Sequence, residues 1–181
     1  AVGECGLDYH YDHSPREVQR TVFAEQLALA RQHGLPVSIH VRDDGPDAYE
    51  DLLAIWRTEG RGSLEGVLHC YTGTLEFARR ALDIGFHISF SGILTFKRDR
   101  GLREVAAALP LDRLLVETDA PLLAPEGFRG RRNEPAHAAL VGEALARAHG
   151  RDPKEVASIT TANARALFRL DAAPPAGGSH V

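Results

Sequence analysis

Gly34-Leu35-Pro36-Val37-Ser38-Ile39-His40-Val41 is the stretch on which the fold turns. Gly34 is a residue that helices end on, because glycine enters the left-handed conformation without a Cβ clash, and Pro36 cannot continue a helix. Val37 to Val41 is a short β-branched run, which predicts a buried strand. A histidine stands near its far end. Upstream, Ser14-Pro15-Arg16-Glu17 reads as a capping box, with Ser14 as N-cap, Pro15 at the first helical position and Glu17 reaching back. Val18, Val22, Phe23, Leu27 and Ala30 then recur at helical spacing up to Gly34. One helix therefore feeds one strand through a tight connection.

The same alternation continues downstream. Pro46 opens a helix with Tyr49, Leu52, Leu53 and Trp56 on one face, and Gly66 to Tyr71 reads as the next strand. Thr74 to Leu82 is a helix closed by Gly85, Phe86 to Ser91 a strand, Leu102 to Leu109 a helix and Leu114 to Thr118 a strand. Two helices finish the chain, from about Pro135 to His149 and from Asp152 to Phe168, the second with a break expected near Asn163. The opening residues Ala1 to Glu4 read as the end of a strand. Strands alternating with helices predict an α/β fold with a parallel sheet and right-handed crossovers. Five strands are visible, whereas an eight-stranded (β/α)8 TIM barrel takes roughly 250 residues. The expectation is an incomplete barrel, about strands 4–8 with their helices, occupying residues 1–170. Residues 171–181 are Ala, Pro and Gly with little to bury, and predict a disordered tail.

Composition bounds the function. The chain has 181 residues, enough for one domain, with a formal net charge of −4, which makes an extensive duplex-wrapping surface an unlikely basis for activity but leaves room for a local phosphate site. No apolar run approaches the roughly 18 residues of a membrane span, and two cysteines predict a reducing, cytoplasmic setting without a disulfide framework. There is no methionine, so the expectation is a chain that was processed or cut from something longer.

Four predicted strands carry an ionisable residue near the C-terminal end: Glu4, His40, His69 and Asp119. That edge is where parallel α/β folds build sites, since the loops leaving it surround one mouth. Each residue alone has a plainer reading: a hydrogen-bonded core histidine, a turn-forming aspartate before Pro121, or a glutamate paired with an arginine. The repetition over four strands favours a shared site. Mixed His and carboxylate donors suit Zn²⁺, Mn²⁺, Fe²⁺ or Co²⁺. Strand parity adds Arg42 and Glu117, each facing the barrel interior beside a ligand. Arg42 is a candidate phosphate clamp or ligand-orienting residue and Glu117 a candidate acceptor for a ligand histidine, with an internal ion pair as the alternative for both. Cys5 and Cys70 point the other way, as packing residues. Arg129 to Glu134 is the densest basic cluster, and within it Arg132 and Asn133 are candidate substrate contacts.

Gly3-Glu4-Cys5-Gly6-Leu7-Asp8-Tyr9 resembles the GE-x-GLDY segment of the TatD family of metal-dependent deoxyribonucleases. Leu35 to Asp43, Val67 to Gly73, Ile88 to Gly92, Glu117 to Pro121 and Arg132 to Pro135 resemble further segments of that family, in its order. The resemblance implies an amidohydrolase-like barrel with two divalent metal ions (Mg, Mn or Zn) in the full-length parent. It implies that Glu4 bridges the metals, that His40 and His69 are ligands, and that Asp119 binds one metal and assists the attacking water. The family also supplies a His-x-His pair from strand one and a histidine from strand three. No residues before Ala1 are present to supply them, and His10 and His13 cannot substitute by position, so fewer metals are expected here. The implied activity is cleavage of single-stranded DNA, as a 3′–5′ exonuclease, with a shallower salt dependence than a basic-patch binder. Two alternatives stand beside it: a small-molecule amidohydrolase or lactonase, against which Glu4 argues because many of those enzymes use a carboxylated lysine there, and a catalytically incomplete fragment that self-associates through an exposed sheet edge.

Overall fold

The computed structural model of the chain describes residues 1–98 and 101–171. Its elements run β1 (Val2–Asp8), α1 (Arg16–His33), β2 (Val37–Arg42), α2 (Asp47–Gly60), β3 (Gly66–Leu68), α3 (Leu75–Asp83) and β4 (Phe86–Phe90). They continue with α4 (Leu102–Ala107), β5 (Leu114–Val116), α5 (Ala138–His149) and α6 (Pro153–Phe168), with short 3₁₀ turns at Gly92–Thr95, Leu111–Arg113 and Pro135–His137. The five strands form one parallel sheet in sequential order β1-β2-β3-β4-β5. Each crossover carries helix to the same face, as the alternating sequence requires.

The two faces of the sheet differ in chemistry. Val37, Ile39, Leu68, Phe86, Ile88, Phe90 and Leu114 are buried against Phe23 and Leu27 of α1, Leu52, Leu53 and Trp56 of α2, and Phe77 of α3. Each such side chain removed from water contributes about 1.5–3 kcal/mol before the entropy of ordering is counted. The alternate residues, Ser38 and His40, Val67 and His69, His87 and Ser89, and Leu115 and Glu117, take the other face by strand parity. A small apolar cluster of Val67, Leu115 and Leu167 covers part of that face through α6. Arg169 ties the end of α6 to the carbonyl of Gly34 at 2.7 Å and to Glu65 at 3.0 Å, both at the N-terminal edge of the sheet. The C-terminal edge is left for the polar residues.

Several boundaries differ from the sequence reading. Ser14 does not cap α1: the helix begins at Arg16 with Pro15 at the cap and no side-chain bond there. Gln19 does the local work instead, bonding both the N–H and the carbonyl of Asp8 and the carbonyl of Ser14. β1 does not end at Glu4 but runs on to Asp8, so Glu4 lies within the strand, near a register irregularity between Val2 and Cys5. β3 stops at Leu68 rather than Tyr71, because Cys70 turns to φ 45°, and β5 stops at Val116 rather than Thr118. α4 ends at Ala107, ahead of Pro110. α6 is unbroken at Asn163, whose amide reaches out to the carbonyls of Leu111 and Leu114, both at 2.8 Å, instead of competing with its own helix. Asp152 does cap α6, accepting from the N–H groups of Lys154 and Glu155. The expected tail lies outside the described residues from 172 onward. No helix among the described residues is long and apolar enough to cross a membrane.

Gly6 is the glycine the site depends on. It pairs with His40 in the sheet at φ 146°, and a Cβ there would lie 1.9 Å from the His40 carbonyl oxygen. The bare backbone lets β1 and β2 close up beside the imidazole.

Candidate metal centre

Glu4, His40 and His69 come from three adjacent strands, and one donor atom from each lies within 4.8 Å of the other two. Glu4 Oε1 is the hub, 3.2 Å from His40 Nδ1 and 2.9 Å from His69 Nε2. The two imidazoles stand 6.2 Å apart between centroids. His69, Glu117 and Asp119 form a second group on the same criterion, so His69 links Asp119 to the hub. Three of the four sequence-predicted residues, Glu4, His40 and His69, thus share one donor group, and Asp119 falls in a second with His69 and Glu117.

The remaining ring nitrogens are also held by carboxylates. His40 Nε2 lies 3.0 Å from Asp8 Oδ2, and His69 Nδ1 lies 2.8 Å from Glu117 Oε1. Burial pushes Asp8 up, but hydrogen bonds from the Tyr11 N–H, from His40 and from the His10 N–H outweigh it and hold the carboxyl below its usual range. Burial likewise raises Glu117, and its bond to His69 more than reverses that. Both are therefore acceptor-only carboxylates at neutral pH, so each takes an N–H from its histidine. When the histidines are neutral, their other nitrogens carry lone pairs aimed at the Glu4 side. This is the carboxylate–histidine arrangement that orients metal ligands.

The donor set of two imidazole nitrogens and a carboxylate oxygen fits a divalent cation of the Mn²⁺, Zn²⁺, Fe²⁺ or Co²⁺ type. Without one, His69 behaves as a cation trap for a proton. Burial disfavours its imidazolium, yet Glu117, Glu4 and Asp119 together raise its pKa to about 9. Asp119 is shifted up: burial, with the charges of Glu117 and Glu4, raises it against the pull of His69 and His40. It sits at φ 57° on the loop that follows β5.

Asp8 is the residue the sequence reading missed. It lies within the Gly3 to Tyr9 segment, and period-two counting from Glu4 puts it on the same face of the strand. Glu117 takes the role predicted for it, but from beyond the end of β5 rather than from within a strand. Arg42 does not orient a ligand and makes no internal ion pair among the described residues. It is exposed at the sheet edge, with Nη1 3.3 Å from Tyr11 Oη. Asn133 is not an open substrate contact: it is buried, its amide donates to the carbonyls of Thr118 and Leu122 at 2.6 Å each, and its oxygen accepts from the Glu134 N–H and meets His137. Asn133 thus clasps the loop that presents Asp119. Arg132 is exposed on the same loop. Cys5 and Cys70 lie in neither donor group, and burial pushes their thiols up to about 11 and about 12.

A cluster of mixed histidine and carboxylate donors at the C-terminal edge of a parallel sheet fits a divalent metal centre of the kind parallel α/β folds build there. The family described as TatD related DNase matches residues 1–169, and the chain belongs to that family. It is 46% identical over 171 residues to "Uncharacterized metal-dependent hydrolase YabD" of Bacillus subtilis (strain 168), covering 94% of this chain and 66% of that protein. It is 41% identical over 177 residues to "3'-5' ssDNA/RNA exonuclease TatD" of Rahnella sp. (strain Y9602), covering 95% of this chain and 66% of that one. The crystal structure of YJJV, a TatD homologue from Escherichia coli K12, superposes with a TM-score of 0.85 at 35% identity, covering 93% of this chain and 63% of that chain. The chain thus spans just under two thirds of the length of these relatives.

The geometry sets a proton-linked expectation. A cation on His69 Nε2 must displace the proton that nitrogen shares with Glu4, so binding at pH 7 is expected to release about one proton per cation. Calorimetry of Mn²⁺ binding in buffers of different ionisation enthalpy measures this; the release should vanish above pH 9–10, and an enthalpy independent of buffer at pH 7 contradicts it. The sign for the metal-free fold follows from the same raised pKa. Stabilisation by the His69 imidazolium is fully present below about 6.5 and is lost as pH rises through about 9.

Proposed function

We propose that the protein is a divalent-metal-dependent phosphodiesterase that shortens single-stranded DNA from its 3′ end. The observation that carries the reading is the Glu4 carboxylate held between two histidine nitrogens whose far sides are fixed by Asp8 and Glu117. The exonuclease description of the Rahnella relative supports the substrate class. A divalent cation, Mg²⁺, Mn²⁺ or Zn²⁺, supplies Lewis acidity and lowers the pKa of a coordinated water when it is bound.

The chain's own residues divide the remaining work. Glu4, His40 and His69 would hold the cation, and Glu4 would be the carboxylate shared with a second one. Asp119, its carboxyl raised by burial, accepts the proton that the attacking water gives up. The water oxygen bonds to phosphorus as the bond from phosphorus to O3′ breaks, and the departing O3′ takes a proton to leave a new 3′-hydroxyl. In this reading Arg132 and Arg42, both exposed, hold phosphate oxygens of the strand.

The five strands correspond in this reading to the last five of a TatD barrel. The free edge of β1 then favours self-association of the chain. Light scattering during gel filtration is expected to show dimers or larger species, and a monodisperse monomer would count against this part. The two cysteines, unpaired in the structure, suit a cytoplasmic setting.

A 5′-labelled single-stranded oligonucleotide tests the activity. With Mn²⁺ or Mg²⁺ the expected product is a ladder shortened from the 3′ end, abolished by a chelator. Asp119→Asn should lower kcat by about 10²- to 10⁴-fold, the usual span for losing a positioned acid–base group. Chelator-resistant cleavage would contradict the metal dependence, and hydrolysis of lactones and amides with no effect on DNA would replace the nuclease reading.

A further inference from the structure

Asp8 does more than orient His40. While its Oδ2 meets His40, its Oδ1 accepts from the N–H groups of His10 and Tyr11 at 3.1 and 2.9 Å. One carboxylate therefore fixes a metal ligand and the turn that follows β1. That turn carries an aromatic group out of the protein: Tyr11 is 55% exposed, whereas Tyr9, two residues earlier, is buried with its hydroxyl on Asp51. The Tyr11 ring lies parallel to His13 at 5.6 Å and has His10 edge-on at 4.7 Å. The Arg42 guanidinium sits 4.7 Å from the ring centroid and also reaches the Tyr11 hydroxyl. His10 is held in turn by Asp44 at 2.9 Å. Arg42 faces Asp8 in the β1–β2 register, two residues past His40, so the array adjoins the metal centre at the same sheet edge.

An exposed tyrosine with an imidazole parallel to its ring and a guanidinium over that ring builds a layered array that presents flat π surface and positive charge together. Single-stranded nucleic acid is bound by this combination, since every base has a face that stacks regardless of sequence. The net charge of −4 adds weight, because a chain poor in phosphate-neutralising surface must draw more of its affinity from stacking. We infer that Tyr11, with His13 and Arg42, is a stacking platform for a nucleobase of the substrate strand beside the metal centre. This rests on the nuclease reading above and adds a specificity: the group recognised is the base, not only the phosphate.

The test places 2-aminopurine at successive positions from the 3′ end of a short single-stranded DNA. Binding is followed by fluorescence, in the Asp119→Asn background with Mn²⁺ so that the strand survives. The expected result is quenching confined to one or two positions. Tyr11→Leu, which leaves the backbone N–H bonds to Asp8 intact, should remove the quench and weaken binding roughly tenfold. Tyr11→Phe should keep both, and DNA lacking a base at the quenched position should bind Tyr11→Leu and its parent alike. Unchanged quenching and affinity in Tyr11→Leu overturn the platform, and cleavage of the strand by the wild-type protein would then leave the nuclease reading in place. A Tyr11-dependent quench with no cleavage by the wild-type protein does the reverse: stacking stands and the nuclease reading falls.

Discussion

Two carboxylates, Asp8 and Glu117, determine where the chemistry points. Each is ionised and can only accept, so each takes a ring N–H from the histidine beside it and turns the opposite nitrogen toward Glu4. Remove either, and the imidazole loses the partner that fixes its tautomer and its plane. The central glutamate would then face two rings free to rotate. The candidate centre is thus a five-residue arrangement, in which Glu4, His40 and His69 offer donor atoms and Asp8 and Glu117 set their direction.

The fold is arranged to bring those five together. Three neighbouring parallel strands deliver Glu4 with Asp8, His40 and His69, and the chain just beyond β5 delivers Glu117, with Asp119 two residues further on. Gly6 permits the close approach of β1 to β2 that puts His40 between Glu4 and Asp8. Asn133 pins the turn from Thr118 to Leu122 and so places Asp119. The apolar helix-facing layer, from Phe23 to Leu145, supplies the stability against which buried polar groups and a non-glycine positive φ at Asp119 are tolerated.

Much of this was legible in the residues because parallel α/β folds obey a strict grammar. Gly34 and Pro36 marked a real helix end, and β-branched runs marked β2 and β4. The polar residues closing apolar runs marked the site edge, so Glu4, His40, His69 and Asp119 could be grouped across long separations. What the sequence does not encode locally is register. Only the pairing of Gly6 with His40 shows that Asp8 and Glu4 flank one imidazole, so Asp8 was overlooked. Asn133 misled for a related reason: an amide in a basic loop looks like a substrate contact until its hydrogen bonds are counted. The early ends of β3 and β5 follow from a positive φ at Cys70 and the loop after Val116, neither of which leaves a composition signal.

Anomalous scattering from crystals grown with Mn²⁺ tests the central claim most directly. The expected peak lies within bonding distance of Glu4 Oε1, His40 Nδ1 and His69 Nε2, with Asp8 and Glu117 still on the far nitrogens of the two rings. A peak coordinated elsewhere, or histidines rotated so that Asp8 or Glu117 becomes the ligand, would contradict it.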